Sequence, residues 1–420
     1  MKSHHVGKNT HMMHIEDLIL YQGLDGYYRS LKHLNTMAAK LVNLDRSGIS
    51  VKWDGAPAIF AGTDPQDGRF FVSTKRIFNI DPQVFKHPDH IDNVLKGGLN
   101  RKMHIAFQNM SKLNIQGVLQ GDMMFTASDL KTIQPYRGTL LVIHPNTIAY
   151  AVDVDSKVGQ AISAAQMGVV WHTSYSGDHF TSMEANYAPN LSTLTPTTDV
   201  WSHSAQICEI GYLLEHQDIN QLLCVVKAVS QAGSNVSANQ PLFNHLCNRP
   251  NLCEKIEIYF NLQIRNNIKP NTDHYAEAVR LLSWLQLQRD QHLSQITMRH
   301  AIIKAQDKYD DQLGFFNGDG LSMLADVLSI RFLITAAKQS CINTLNKMRS
   351  DFTPMIHTQQ YGYAKTTHEG YVQHIGNDVV KFIDRKVFSH NNFSPYVRKG
   401  WDSRDSTDGQ TANISRLSNG

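Results

Sequence analysis

The sequence predicts an α+β fold in which a strand-rich core is interrupted by an all-α segment. Strand-like apolar patterns bounded by turn residues fill most of residues 48–184, and strand character returns at 368–388. Between them, at 203–349, apolar residues recur three and four positions apart, which is typical of amphipathic helices. The 420 residues are enough for two or three domains. We therefore expect one core that the helical segment divides along the chain.

These changes of pattern also set the expected domain boundaries. The expected units are an N-terminal helical segment (1–47), the first part of the core (48–184), a helical insertion (185–355) that opens with a Ser/Thr/Pro/Asn-rich connector, the second part of the core (356–400) and a disordered polar tail (401–420). Within the first part, turn residues at 63–68 predict a hairpin between 58–60 and 69–74. Further strands are expected at 117–125, 139–143, 147–152 and 168–172, with helices at 101–113 and 156–166.

Composition narrows the class of protein. The formal net charge is +3, so charge alone does not indicate a nucleic-acid binder. The five cysteines include no C-x-x-C pair, which argues against a zinc site of the usual spacing and against a disulfide framework. No apolar run reaches the roughly 20 residues that a membrane span needs. We expect no membrane association and a cytoplasmic protein, in the host cytoplasm if the chain is viral; oligomeric state is left open.

Four short motifs follow one another along the core. They are K-W-D-G at 52–55, G-D at 121–122, E-G-Y-V at 369–372 and V-K-F at 380–382. A lysine in K-x-D-G between apolar runs is typical of enzymes in which the amine attacks a nucleoside triphosphate and carries the nucleotide covalently. The attacking amine must be unprotonated, and burial and nearby cations lower the pKa of a lysine. We expect such a lowered pKa for Lys52.

The other motif residues have chemical roles that fit the same reaction. Phosphoryl transfer needs cations to neutralise developing charge and a carboxylate to hold Mg²⁺. Glu369 is the candidate carboxylate, and Lys381 is the candidate cation on the α-phosphate. Asp54 is expected to hold the lysine in place or to join the water shell of the metal. Gly55 permits close approach of the backbone.

The ordered set of motifs resembles the covalent nucleotidyltransferase superfamily, which contains ATP-dependent DNA ligases, RNA ligases and mRNA-capping enzymes. The resemblance implies a nucleotidyltransferase core of ATP-grasp-like antiparallel sheets, with ATP as substrate, Mg²⁺ or Mn²⁺ as the metal and Lys52 as the nucleophile. Further residues match nucleotide-binding positions of the family: Lys75 and Arg76 (the basic segment that binds phosphate or ribose), Asp122 (the strand that contacts the ribose, where glutamate is usual), Trp171 (an aromatic that stacks on the base), Glu369 (the E-G-x-V strand that helps to hold the metal) and Lys381 (the K-x-K strand).

Three features depart from the pattern of the superfamily. Val379 replaces the first lysine of K-x-K, and Pro57 stands where many DNA ligases have an arginine. The chain ends soon after Lys381, so no C-terminal OB-fold is expected. The motifs are closer to phage-type RNA ligases and to ligase-like phage proteins than to DNA ligases. The expected function is therefore an ATP-dependent polynucleotide ligase that uses a lysyl-AMP intermediate, with RNA as the favoured acceptor.

Other functions remain open from the sequence. A DNA ligase or a capping guanylyltransferase would keep the lysine adduct and change the acceptor or the nucleotide. A degenerate fold that binds nucleic acid or serves in assembly would keep only the architecture; Val379 and Asp122 favour this hypothesis, whereas Lys52, Asp54 and Glu369 oppose it. Considered without the other motifs, Lys52 is more typical of an exposed lysine at the end of a strand. Trp171 is more typical of a core residue, since tryptophans are mostly well buried.

Two further groups of residues are notable: basic residues of the insertion and histidines near the start of the sequence. Basic residues of the insertion either form a face for a nucleic-acid backbone or the solvated side of a helical bundle: Lys304, Lys308, Arg331, Lys338, Lys347 and Arg349. Histidines near the start, His4, His5, His11 and His14, are assigned no metal.

Overall fold

The computed structural model describes residues 12–135, 138–207 and 216–400. These described residues contain eleven α-helices and seventeen β-strands, so the fold is α+β as predicted. The helices are α1 (Leu18–Val42), α2 (Pro88–Val94), α3 (Gly97–Met110), α4 (Lys157–Ala164), α5 (His216–Ala232), α6 (Gln240–Cys247), α7 (Pro250–Arg265), α8 (His274–Ser294), α9 (Arg299–Leu313), α10 (Asp319–Leu345) and α11 (Arg385–Phe393).

The strands alternate with few helices in the first half of the chain and return after α10. They are β1 (Met13–His14), β2 (Ile49–Lys52), β3 (Ala58–Thr63), β4 (Phe70–Ser73), β5 (Val84–Phe85), β6 (Val118–Thr126), β7 (Lys131–Ile133), β8 (Leu140–Ile143), β9 (Ile148–Asp153), β10 (Met167–Ser176), β11 (Glu184–Asn186), β12 (Val200–Ser204), β13 (Thr353–Thr358), β14 (Gly362–Lys365), β15 (Gly370–Ile375), β16 (Asp378–Ile383) and β17 (Val397–Arg398). The predicted hairpin is present as β3 and β4, which pair antiparallel.

The strands of the described residues form three sheets. The lysine sheet, which carries Lys52, has the order β1-β16-β15-β2. The central sheet has the order β11-β10-β6-β3-β4-β5, with β12 also paired to β10, and the outer sheet has the order β14-β13-β9-β8-β7, with β17 paired to β13. Neighbouring strands run antiparallel, apart from the parallel pairs β1–β16 and β10–β12. Short hairpin connections explain this preference, because antiparallel strands need only a tight turn.

The helices α5–α10 and the N-terminal helix α1 share one hydrophobic core. That core also receives Tyr371, Val380 and Phe382 from the lysine sheet. The predicted boundaries at 47 and 185 therefore separate elements that pack together. Strand β12 also lies inside the predicted helical insertion, because Val200 and Trp201 are buried against the central region of the core despite the polar composition around them. The predicted tail, 401–420, lies outside the described residues.

Helix α10 is the central helix of this helical region. Most of its residues are apolar, and Leu324, Val327, Leu328 and Ile334 are fully buried. A helix with this pattern belongs in a core. It is also the one helix of the described residues that is long and apolar enough to cross a membrane, but half of its most apolar window is buried inside the fold.

A buried ion cluster ties α10 and α11 to the start of the chain. It consists of Glu16, Asp17, Arg331, Lys338 and Arg385, all less than 10% exposed. Lys338 Nζ lies 2.5 Å from Glu16 Oε1, and Arg331 Nη2 lies 2.8 Å from Asp17 Oδ1. Arg385 pairs with both carboxylates. The prediction that Arg331 and Lys338 belong to a basic surface is therefore wrong, since both face inward and are neutralised by acids from the first helical turn.

Candidate functional site

A cleft of about 420 Å³ lies between the lysine sheet and the central sheet. The lysine sheet contributes residues of β2 and β15, and the central sheet contributes residues of β3, β6 and β10. The predicted site residues that line it are Lys52, Asp54, Gly55, Lys75, Asp122 and Glu369. Its volume is in the usual range for small-molecule sites.

Lys52 and Glu369 meet at the centre of this cleft. Strand β2 pairs with β15 so that Lys52 lies opposite Gly370, which brings the neighbouring glutamate within reach. Lys52 Nζ donates to Glu369 Oε2 at 2.6 Å, although 317 residues separate them along the chain. The Glu369 side chain is 8% exposed and the Lys52 side chain 28%. The first and third motifs of the sequence are therefore brought into direct contact.

The charge state of Lys52 differs from the expectation. Burial lowers the pKa of the amine, but the ion pair with Glu369 and the carboxylates of Asp122 and Asp54 outweigh burial and leave this pKa above its usual value. The predicted cationic neighbours do not dominate, because the nearest charges are acidic. Burial also raises the pKa of Glu369, against the opposing effect of Lys52. The pair thus holds its proton firmly on the lysine.

Asp54 anchors the motif turn and makes no hydrogen bond to Lys52. One carboxylate oxygen accepts from Asn146 Nδ2 at 2.9 Å, and the other accepts from the backbone N–H groups of Thr147 and Ile148 at 2.9 and 2.8 Å. The backbone N–H of Asp54 donates to Tyr150 Oη at 2.7 Å. Both oxygens are occupied, so Asp54 is a positioning residue that fixes the end of β2 to the β8–β9 hairpin.

Asp122 is an acid at the floor of the cleft. It lies on β6, opposite Ala58 of β3 and Val170 of β10. Burial raises its pKa to about 7, and the carboxylates of Glu369 and Asp54 act in the same direction against Lys52. His172 Nε2 lies 3.9 Å from Asp122 Oδ2, and burial lowers the pKa of this histidine to about 4. Burial is therefore the main reason that the ionised form of Asp122 is disfavoured in the cleft.

Gly55 is required by the packing of the motif turn on β6. A Cβ at this position would lie 2.6 Å from Asp122 Cβ and 2.8 Å from Met124 Sδ. The next residue, Ala56, donates its backbone N–H to Met123 O at 3.0 Å. The predicted close backbone approach is therefore made to the neighbouring strand of the protein itself.

Lys75 and Arg76 diverge at the start of a short 3₁₀-helix, Lys75–Phe78. Lys75 lines the cleft. Arg76 instead donates to Gln83 Oε1 at 3.1 Å and lines a separate surface groove. Of the two predicted phosphate-binding residues, the cleft includes only the lysine.

Trp171 does not reach the cleft. Its side chain is fully buried in the core between the central sheet and helix α3, and its Nε1 donates to Ser202 Oγ at 2.7 Å. No face of the indole is free for a base, so the predicted stacking role is wrong. The neighbours Val170 and His172 face the cleft in its place.

Lys381 lies one strand further from the lysine. It occupies β16, opposite Val372 and His14, and is partly buried. Burial and the charge of Lys52 lower its pKa, and Glu369 opposes this. Lys381 is therefore within the electrostatic field of the pair but does not line the cleft.

Comparison with known proteins identifies a family. A family model described as "Family of unknown function (DUF6267)" matches residues 9–396. The chain belongs to this family. No curated protein and no solved structure matches this DUF6267 member.

Sequence reasoning missed several cleft residues of this DUF6267 protein. His172 and Tyr187 line the cleft, and Tyr150 supports the motif turn from below. His172 directly follows Trp171 on β10. Because side chains alternate between the two faces of a strand, His172 faces the cleft when Trp171 faces the core. No local signal identifies Tyr150, since its role depends on a hydrogen bond across two sheets.

Proposed function

We propose that this protein is an ATP-dependent polynucleotide ligase that carries AMP on Lys52. The observation that carries the proposal is the 2.6 Å contact between Lys52 and Glu369 inside a cleft that also contains Asp122 and Lys75. The pairing of β2 with β15 brings Lys52 and Glu369 together, and Asp122 lines the same cleft from the central sheet. A direct contact between Lys52 and Glu369, 317 residues apart, is not expected if the two residues are unrelated surface charges.

In the proposed first step, the Lys52 amine attacks the α-phosphate of ATP. A P–N bond forms, the bond to the β-phosphate oxygen breaks, and pyrophosphate leaves. The ammonium must first lose a proton, and Glu369 is the base within hydrogen-bond distance. Its raised pKa suits it to accept that proton. Lys75 lines the same cleft and would neutralise phosphate charge.

The acids of the cleft suit a divalent cation. Burial raises the pKa values of both Asp122 and Glu369, and neighbouring carboxylates act in the same direction. Carboxylate oxygens are preferred Mg²⁺ ligands, and Mg²⁺ commonly keeps several waters and binds substrate phosphates besides one or two carboxylates. No group of three or more ligating side chains was found among the described residues. These two carboxylates would hold Mg²⁺, which when bound would neutralise triphosphate charge.

The later steps would transfer AMP to a 5′-phosphate end and then join it to a 3′-hydroxyl with release of AMP. RNA is the proposed acceptor, in the cytoplasm where ATP is supplied. Tyr187, Val170 and Val372 form the less polar part of the cleft and would receive the adenine.

The decisive experiment is self-labelling. The purified protein is incubated with Mg²⁺ and α-labelled ATP or α-labelled GTP, and the products are separated on a denaturing gel. We expect label from ATP on the wild-type protein and none on Lys52→Ala. Lys255→Ala, which changes a lysine of α7 outside the cleft, is the control and should label normally.

Other results would redirect the proposal. Label from GTP alone would assign capping chemistry. Absence of label from either nucleotide, with folded protein and an unmodified Lys52, would favour a degenerate nucleotidyltransferase that binds nucleic acid without catalysis. The raised pKa of Lys52 is the observation that favours this second candidate.

A further inference from the structure

A second cleft adjoins the first on the other side of strand β2. It has a volume of about 260 Å³, and Val51, Trp53 and Ala205 line both clefts. The end of α10 and the start of β13 form its outer wall. Nothing in the proposed lysine chemistry uses this space.

Aromatic rings dominate the inner wall of the second cleft. The Trp53 ring has Phe352 at 5.2 Å, His203 at 5.6 Å and His368 at 5.9 Å between centroids, all in edge-to-face arrangements. His203 in turn stacks on Trp201 at 5.0 Å with the two planes 8° apart. Burial lowers the pKa of His203 to about 4, so this ring is uncharged at neutral pH. Uncharged flat rings are suited to stack on a nucleobase.

Two buried polar atoms at this wall lack a partner in the described part of the chain. They are the Trp53 Nε1 donor and the Nδ1 atom of His368. Trp53 is only 6% exposed, and His368 lines the second cleft but not the first. Buried polar groups are normally hydrogen-bonded, so each such exception requires an explanation. A ligand with both donors and acceptors would satisfy them.

The rim of the cleft carries a cation. Arg349 is exposed, lines the cleft and forms no ion pair with a described residue. Guanidinium groups bind phosphate through paired hydrogen bonds. Asn346 and Thr367 add polar groups to the same lining, which also includes one acid, Asp351.

We propose that the second cleft binds one nucleotide of the polynucleotide acceptor. Its base would lie against the partly exposed rings of His203 and His368, with Trp53 behind them, and its phosphate would contact Arg349. This inference rests on the proposed function, because the shared wall would place the bound strand next to Lys52. At about 260 Å³ the cleft is slightly smaller than a usual small-molecule site, so only one base would enter it and a longer stretch of strand would lie outside.

The test measures binding without catalysis. A short 5′-phosphorylated RNA oligonucleotide with a 3′ fluorophore is titrated with the protein in EDTA, without ATP, and fluorescence anisotropy is recorded. We expect Arg349→Ala to weaken binding about tenfold, the effect of losing one charged hydrogen-bonding group. Thr367→Phe, which fills the cleft, should weaken it at least as much. The matched control is Arg299→Ala, an exposed arginine of α9 that lines neither cleft.

The outcomes separate this inference from the proposed function. Oligonucleotide binding that depends on Arg349, in a protein that never labels with ATP, would support the second cleft and remove the ligase. Normal self-labelling with oligonucleotide binding that is absent, or equal in wild type, Arg349→Ala and Thr367→Phe, would overturn the second cleft alone. If Thr367→Phe does not fold, Arg349→Ala decides the question by itself.

Discussion

Two groups of opposite charges, the buried ion cluster and the cleft around Lys52, respond to burial in opposite ways. In the buried ion cluster, Lys338, Arg385 and Arg331 outweigh burial and hold the pKa values of Glu16 and Asp17 below their usual range. In the cleft, burial outweighs Lys52 and raises the pKa values of Asp122 and Glu369. Both groups join segments more than 300 residues apart.

The two groups differ in whether basic side chains offset the burial of the acids. In the buried ion cluster, three basic side chains more than offset the burial of Glu16 and Asp17. The ionised acids are therefore favoured in the folded state. In the cleft, Lys52 does not offset the cost of burying the ionised acids, so uptake of a proton by these acids is favoured. Strongly perturbed pKa values of this kind concentrate at functional sites.

The largest expected effect is on the stability of the buried cluster. Asp17→Asn leaves Arg331 and Arg385 without their shared carboxylate, and we expect the free energy of unfolding to fall by about 3–5 kcal/mol. The native pKa of Asp17 is lowered, so its contribution is present above the unfolded pKa of about 4 and is lost as pH falls further. The deficit of the variant should therefore shrink below that pH. Urea unfolding measures it, with the exposed Asp326→Asn on α10 as control; equal midpoints for both variants would contradict the assignment.

The next effect is on the reaction. Glu369→Gln keeps the shape of the side chain but removes the base beside Lys52, and we expect the rate of self-labelling to fall about 100-fold or more. The fold should remain, as judged by circular dichroism. Glu254→Gln, an exposed position on α7, should label at the wild-type rate. A Glu369→Gln protein that labels normally would show that Glu369 takes no part.

The third prediction concerns Asp122, whose effect on stability depends on pH in the opposite direction to that of Asp17. The folded pKa of Asp122 is about 7, well above the unfolded value, so the native state holds a proton that the unfolded state releases between about pH 4 and pH 7. Wild-type stability therefore falls as pH rises through this window. Asp122→Asn should be more stable by roughly 2 kcal/mol at pH 7, with little difference at pH 4. A difference that is independent of pH would refute the raised pKa.

The smallest expected effect concerns the motif turn. Gly55→Ala places a methyl group against Asp122 and Met124, and we expect a loss of about 1–2 kcal/mol in stability, because the Met124 thioether can shift but Asp122 Cβ moves only with its strand. Self-labelling should also slow, since the turn sets the position of Lys52. Gly314→Ala is the control, because a Cβ there meets nothing within 4 Å. Identical midpoints for the two variants would mean that the turn adapts freely.

Local patterns in the sequence predicted much of the fold. The β3–β4 hairpin follows from turn residues between two apolar runs, and α10 follows from apolar residues at helical spacing. The order of the motifs implied a common site for Lys52, Glu369 and Lys381; Lys52 and Glu369 meet, whereas Lys381 does not line the cleft. These features depend on short segments or on motif order, both of which a single sequence contains.

Other features depend on contacts that no short segment encodes. The register of β10 shifts between Trp171 and Thr173, and the tryptophan lies on the core side of its strand. The carboxylate of Asp54 is occupied by a turn 92 to 94 residues away. Arg331 resembled a surface charge because its partner Asp17 lies 314 residues earlier.

The pairing of β2 with β15 also determines when the site can exist. The ribosome makes Lys52 early and Glu369 late, and every helix from α5 to α10 is synthesised between them. Pairing between strands so far apart in sequence forms slowly. Until β15 pairs with β2, the backbone N–H and C=O groups on that edge of β2 lack these hydrogen-bond partners. Under the proposed function, nascent or cleaved chains that lack β15 would not self-label, because the site forms only after β15 has paired with β2.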